Sequence, residues 1–582
     1  MYSTRAMLLT LLLMGHGSLQ SFFCGRSFFN PRPQDFGGGR DMLHALEYYH
    51  DACLPSDQDG CRRCGTFSVA GVYEQLFQTD RQANYFFGTD TLTFSGSRVV
   101  GRDGANEILA DYFGLPTDFR SVVSFDPSVR TAMADIRYTY YTRLWDKRWF
   151  MQINAPVVWT EWDLGLSECC CQNACSPGTL AYPAGYMGSD RIVRDQMPCN
   201  VSQAWSGCVA PFGDYEPLKY GRIDGEQRKV ALADIALYGG VCLVDAVDHF
   251  FAAHVRVVAP TGNRSHACYL FEPMVGNGNH WELGGGFSGY ARLWKHDEDR
   301  HVFHLYGEGT ISHLFQSWQK RSYDFKLNGP LSRYVLIEEM GNPIVEGLMI
   351  NGIDADIQYH GKIMPAINET TLNSLISIGV QANVSLKLVY VHHEQCSLEL
   401  GYTLWARTQE KLHCRQRFPC GNFAIKGDAQ VYGFGAVDEL FVGLNATQHG
   451  STITQPQEGG NASQNFTNEN ADSAALATFR TDVLAQTTLP GAVDTGITVL
   501  ADVNGSSLPQ LICDSHLDTL SALHPLAISN AIFVNAYHRW RPDEHTQPFV
   551  GLGGKVEVDG TNEKRNSAQS LWSVWLEGGV SF

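Results

Sequence analysis

Residues 570–582 read SLWSVWLEGGVSF. Trp572, Val574, Leu576, Gly578, Val580 and Phe582 fall on one face of an extended chain; Ser573, Trp575, Glu577, Gly579 and Ser581 fall on the other. Successive side chains of a strand point to opposite sides, so this alternation predicts a long β-strand with one apolar and one polar face. The preceding segment repeats it: Val550, Leu552, Gly554, Val556 and Val558 alternate with Gly551, Gly553, Lys555 and Glu557.

Working outward from there, the same period recurs along the chain. Leu398, Leu400, Tyr402, Leu404 and Ala406 oppose Glu399, Thr403, Trp405 and Arg407. Phe303, Leu305, Gly307, Gly309, Ile311 and Phe315 oppose His304, Tyr306 and Glu308, with His313 interrupting the apolar face. Trp281, Leu283, Gly285, Phe287, Gly289, Ala291 and Leu293 oppose Glu282, Ser288, Tyr290 and Arg292. Phe251, Ala253, Val255 and Val257 oppose His254 and Arg256, and Ala132, Ala134, Ile136, Tyr138 and Tyr140 oppose Asp135, Arg137 and Thr139. Residues 231–241 carry one charge, Asp234, facing away from Ile235 and Leu237.

The connections alternate as well. Short ones lie near 146–147, 244–248, 295–300, 392–395 and 541–547; long ones run over 78–130, 163–228, 259–280, 316–380, 408–527 and 559–569. Short periplasmic turns, long external loops and an even strand count describe a transmembrane antiparallel up-and-down β-barrel. Counting 65–77 as the first strand predicts about 12 strands in an all-β fold. The strand over 151–162 contains Pro156, which predicts an edge or a bulge there. The connection 408–527 is too long for a plain loop; a hairpin near 423–434 would raise the count to 14, and the polar stretch 445–472 reads as mobile. A soluble secreted β-sandwich is the rival fold, since its strands also alternate. Strand length and the short/long rhythm favour the barrel.

Arg5, an apolar run over 6–14 with five leucines, and Gly15, Gly17 and Ser18 form an export signal that places cleavage between 18 and 21. Three parts follow: a signal peptide over 1–21, a periplasmic or lumenal arm over 22–63 with a possible helix at 40–50, and the barrel over 64–582. The net charge of −18 argues against a nucleic-acid partner, which needs a basic footprint. Aromatic content of 12% and a charged fraction of 18%, below the usual quarter, suit a barrel in outer-membrane lipid.

Two resemblances add to this. The terminal strand resembles the β-signal read by the barrel assembly machinery, carried by Leu576, Gly578, Val580 and Phe582; Glu577 stands where that signal usually has glycine. The run from Val255 through Pro260, Thr261 and Gly262 is similar to barrels of the fatty-acid and aromatic-hydrocarbon transporter type. That group implies a short arm ahead of the barrel.

Twelve titratable side chains are expected to line the pore: Asp135, Arg137, Asp234, His254, Arg256, Glu282, Arg292, Glu308, Glu399, Arg407, Lys555 and Glu557. Charges of both signs suit a water-filled pore of modest selectivity; equally, they could pair across strands and fill a narrow barrel. Cys169, Cys170, Cys171, Cys175, Cys199 and Cys208 crowd one long loop, where export predicts disulfides. Cys61 and Cys64 have the spacing of a zinc or redox pair, with a disulfide favoured. Asp514, His516 and Asp518 invite a hydrolase reading, but no nucleophile, base and orienter assemble as a set. Eight Asn-x-Ser/Thr sequons keep a eukaryotic secreted protein as a minor alternative. The expectation is a porin-like channel for small solutes in the outer membrane, with no cofactor, no bound metal and no enzymatic activity. Its rivals are a barrel displaying disulfide-braced loops for adhesion and, behind it, a barrel hydrolase.

Overall fold

The computed structural model describes residues 25–34, 65–172 without 98 and 146, 194–296 without 247, 301–342, 357–426 without 394, 511–540, 546–560 and 567–582. Shorter described pieces are 182, 349–350, 353–354, 432–437, 440–444 and 451–455. The signal peptide, the possible helix at 40–50, and Cys61 and Cys64 lie outside them.

Twelve strands close into an antiparallel barrel. They are β1 (Gly65–Leu76), β2 (Ser128–Leu144), β3 (Lys147–Asp163), β4 (Ile235–Asp245), β5 (His249–Ala259) and β6 (Glu282–His296). They continue with β7 (His301–Ser322), β8 (Thr371–His392), β9 (Cys396–Arg407), β10 (Ala527–Arg539), β11 (Gln547–Asp559) and β12 (Leu571–Ser581). Each pairs with its neighbours in sequence, and β12 returns to β1 from Thr66↔Ser581 to Leu76↔Leu571. Closure satisfies every wall strand on both sides, so no edge is left unpaired.

The two faces obey the alternation. Ile136, Leu237, Val255, Leu283, Leu386, Leu400, Ile532, Leu552 and Leu576 point outward and are exposed. Thr139, Gln152, Asn154, Ser385, Thr403, Asn535 and Ser573 point inward and are buried. This inversion of a soluble protein is stable only where lipid replaces water outside.

Pro156 is tolerated because the irregularity sits in the neighbouring strand. It stays in β3 opposite Asp135 of β2. Next to it, Gln227–Leu232 pairs with 157–162 of β3, while β4 pairs with 149–154. Residues 233–234 form the break between these pieces, so the unbroken strand expected over 231–241 is corrected. A proline has no N–H for a ladder, but its carbonyl accepts the Ala233 N–H at 2.8 Å.

The long loops are not loose. On their end of the barrel, Thr91–Ser95, Ile108–Leu109, Arg120–Phe125 and Leu166–Gln172 form a four-stranded sheet. Phe423–Ile425, Leu336–Gly341, Gln358–Pro365, Leu440–Leu444 and Tyr432–Val437 form a five-stranded one. The residues expected to form a hairpin near 423–434 do not pair with each other; Phe423–Ile425 and Tyr432–Val437 are the two edge strands of this cap sheet, and the wall keeps twelve strands. Trp205, fully buried, is the hub of the cap core: Phe87, Phe94, Phe113, Phe125 and Tyr334 have ring centres 5.2–6.2 Å from it. These rings come from two long loops, and Trp205 from a third. Within the stretch read as mobile, residues 451–455 are tucked in as well, with Leu109 donating to the Ile453 carbonyl at 3.0 Å; the rest of that stretch lies outside the described residues.

Candidate functional site: the barrel lumen

Period-two alternation sends every second side chain of each wall strand into the lumen, and hydrogen-bond register decides which of them meet. Glu399 on β9 and Lys387 on β8 pair at 3.3 Å, both fully buried. Asn535 Nδ2 donates to the second Glu399 oxygen at 2.9 Å, and the Lys387 ammonium lies 5.0 Å from the Tyr306 ring centre. Arg137 pairs with Asp135 at 3.2 Å. Arg256 pairs with Glu282, and its Nε donates to Tyr238 Oη at 3.0 Å. Lys555 bridges Glu557 at 3.0 Å and Glu74 at 3.2 Å. Tyr537 Oη donates to Glu577 at 2.9 Å. A buried charge is costly unless paired and hydrogen-bonded, and these contacts meet that demand.

The other expected residues divide. Glu308 is buried in the lumen. His254 is buried there too, with neither ring nitrogen hydrogen-bonded among the described residues. Arg292 stands at the short-turn mouth, paired with Asp248. Asp234 fills the break in β4, accepting the backbone N–H groups of Asn277 at 2.5 Å and Gly262 at 3.3 Å. Thr261 hydrogen-bonds the Ala233 carbonyl at the same break, so Thr261 and Gly262 of the transporter-like run both act there. Sequence reasoning missed Lys387, Glu74 and the role of Glu577. Alternation along 384–391, with Val384, Leu386 and Leu388 against Ser385, Lys387 and Val389, carried the signal for Lys387.

One segment from outside the wall enters the lumen. Residues 25–34 run through its long-loop end. Phe29 is gripped by Tyr85, Phe86, Trp162, Phe271 and His524 at 5.3–6.5 Å between ring centres. Arg32 pairs with Glu557 at 3.3 Å, and Arg407 donates to the Pro31 carbonyl at 3.2 Å. Gln34 donates to the Met274 carbonyl at 2.9 Å. Two cavities of about 30 Å³ flank this segment, one beside Glu74 and Glu557, the other beside Arg256, Glu282 and Glu308. Each has room for a water or two.

Polar lumen, apolar exterior and closed ladder occur together only in barrels that span a membrane. The chain is an integral membrane β-barrel. No protein-family model and no curated protein sequence matches it. Among solved structures it is similar to an outer membrane channel from Pseudomonas putida, at 9% identity and TM-score 0.32 over 91% of this chain and 100% of that one. It is also similar to a mutant form of the TodX monoaromatic hydrocarbon channel, at 8% identity and TM-score 0.29 over 89% and 90%. A FadL homologue of Pseudomonas aeruginosa matches at 7% identity and TM-score 0.25 over 96% and 98%. At such scores the likeness carries no argument; the barrel rests on its own ladder.

The remaining sequence candidates have structural roles. Leu576, Gly578, Val580 and Phe582 lie on the lipid side of β12, and Phe582 stacks 6.4 Å from Tyr138. Asp514 is held by Arg415, His516 Nδ1 accepts the Cys513 N–H at 3.0 Å, and Asp518 accepts the Leu520 N–H at 2.9 Å. Among the six clustered cysteines, Cys199 is disulfide-bonded. Cys171 and Cys208 are thiols, and Trp205 of the same loop packs in the aromatic core of the cap. The side chains of Cys170 and Cys175 lie outside the described residues. A disulfide does join Cys420 to Cys513, across the long 408–527 connection.

Proposed function

We propose that the barrel is a channel for small polar solutes, closed in this state by residues 25–34. One observation carries the reading: Phe28 and Phe29 anchor a separate segment in the aromatic core of the cap, while its residues 31–34 reach into the polar, charge-paired lumen and meet the wall through a few polar contacts. An Arg32–Glu557 pair and hydrogen bonds from Arg407 can be exchanged for water far more readily than a packed core can be opened. A wall lined with paired charges favours polar solutes, because an apolar one would displace water and leave these groups unsolvated. In planar bilayers the wild type should open rarely and Arg32→Ala should open often, in discrete steps. Well-folded preparations of both that stay silent would sink the channel reading.

The cap favours a second reading, display of a rigid surface to a partner, because its core is built from loops that a bare channel does not need. On that reading, reducing Cys420–Cys513 abolishes partner binding and leaves the barrel folded.

A further inference from the structure

At the short-turn rim, hydrogen-bond register sets His296 opposite His301, His301 opposite His392, His392 opposite Cys396, and Cys396 opposite His538. Register partners share a face, so these side chains form one lateral row across β6 to β10. It lies on the same side as the exposed Leu305, Leu388 and Leu398. His393 joins it from the β8–β9 turn. Five of the chain's 20 histidines are gathered here, and neither the lumen nor the cap uses them.

We propose that His301, His392 and His393 form a site for a divalent transition metal of the Zn2+ class. Their ring centres are 5.0 Å apart for His301–His392, 4.3 Å for His392–His393 and 6.3 Å for His301–His393. Three imidazoles on one tetrahedral ion with bonds of about 2.0–2.1 Å have ring centres roughly 5 Å apart. Tyr390 Oη lies 2.7 Å from His301 Nδ1. The same nitrogen lies 3.4 Å from His392 Nδ1, so Nδ1 of each ring is the donor that faces the other, at about the separation of two nitrogens bound to one tetrahedral ion. His393 has φ 50°, a left-handed backbone uncommon outside glycine, and this brings its ring beside His392. Imidazole nitrogens are ligands suited to Zn2+ and its first-row neighbours, whereas Ca2+ and Mg2+ take oxygen ligands.

As placed, no three donors converge on one point among the described residues, so binding requires a side-chain rotation. His392 and His393 are exposed and exchange staggered rotamers freely. A girdle of interfacial aromatics accounts for His296 stacked on Trp294 and His538 against Trp540, but not for three imidazoles gathered around a strained turn.

The test is Zn2+ titration of the untagged, full-length barrel refolded in detergent, followed by calorimetry. One saturable site is expected, weakened more than about tenfold by His301→Asn or His392→Asn and unchanged by His313→Asn, which lies elsewhere on β7. His393→Asn keeps the turn, since Asn tolerates the left-handed region, and is expected to weaken binding as well. Heat-modifiable migration on gels reports that each variant is folded. No saturable binding by the wild type, or wild-type binding by all three folded variants, overturns the site.

Discussion

Lys387 and Glu399 face each other inside the wall with no exposure to solvent. Removing one partner leaves the other charged, buried and unpaired, which typically costs 3–5 kcal/mol, whereas replacing both with apolar residues is often neutral. Lys387→Met alone should therefore lower the temperature at which the barrel loses its compact gel migration. The double change Lys387→Met with Glu399→Leu should recover most of that loss; equal losses for single and double changes would refute the coupling. Glu399 was legible in the sequence as an inward charge. Its pairing with Lys387 was not, because residues on strands β8 and β9 meet only once register is set, and register is a property of the pair.

At the scale of elements, inward glycines are matched to inward rings on the next strand. A Cβ on Gly401 would lie 2.1 Å from the Phe533 ring, and one on Gly551 would lie 2.0 Å from Tyr537. The ring covers the glycine, a pairing that also bends a sheet toward closure. Gly401→Val should block assembly of β9 against β10, read as loss of the folded band on gels, while Leu400→Ala on the lipid side should assemble normally. Strand positions and faces were legible in the sequence through period two. The break at 233–234 was not, since it answers Pro156 on a different strand.

For the whole molecule, the cap and the barrel differ in what holds them. His280 is buried between them: its Nδ1–H donates to the Phe315 carbonyl at 2.6 Å, and Nε2 accepts from the Gln319 amide at 3.0 Å. That arrangement needs the neutral ring. Burial first, with Arg321 and Arg407 nearby, lowers its pKa to about 4, and burial likewise pushes His524 well down. With folded values below the unfolded value of about 6.5, the unfolded cap binds protons that the folded cap refuses. The contribution of His280 is complete above about pH 6.5 and is lost as pH falls towards 4, by about 1.4 kcal/mol per pH unit; that of His524 has the same sign. Acidification should therefore loosen the cap before the barrel, seen as altered Trp205 fluorescence with compact gel migration retained. His280→Gln should flatten that pH dependence; an unchanged profile would count against it.

The sequence by itself determined the run of long two-faced strands, the side each strand residue faces and the rhythm of short turns and long loops. All three are local, since one residue's shift reverses every face. Tertiary structure alone decided closure between β1 and β12, the pairing of charges across the lumen and the gathering of rings from two long loops around Trp205 of a third. It also decided the seating of residues 25–34 in the mouth. These contacts join residues distant in sequence, and no local period records which distant residues will meet.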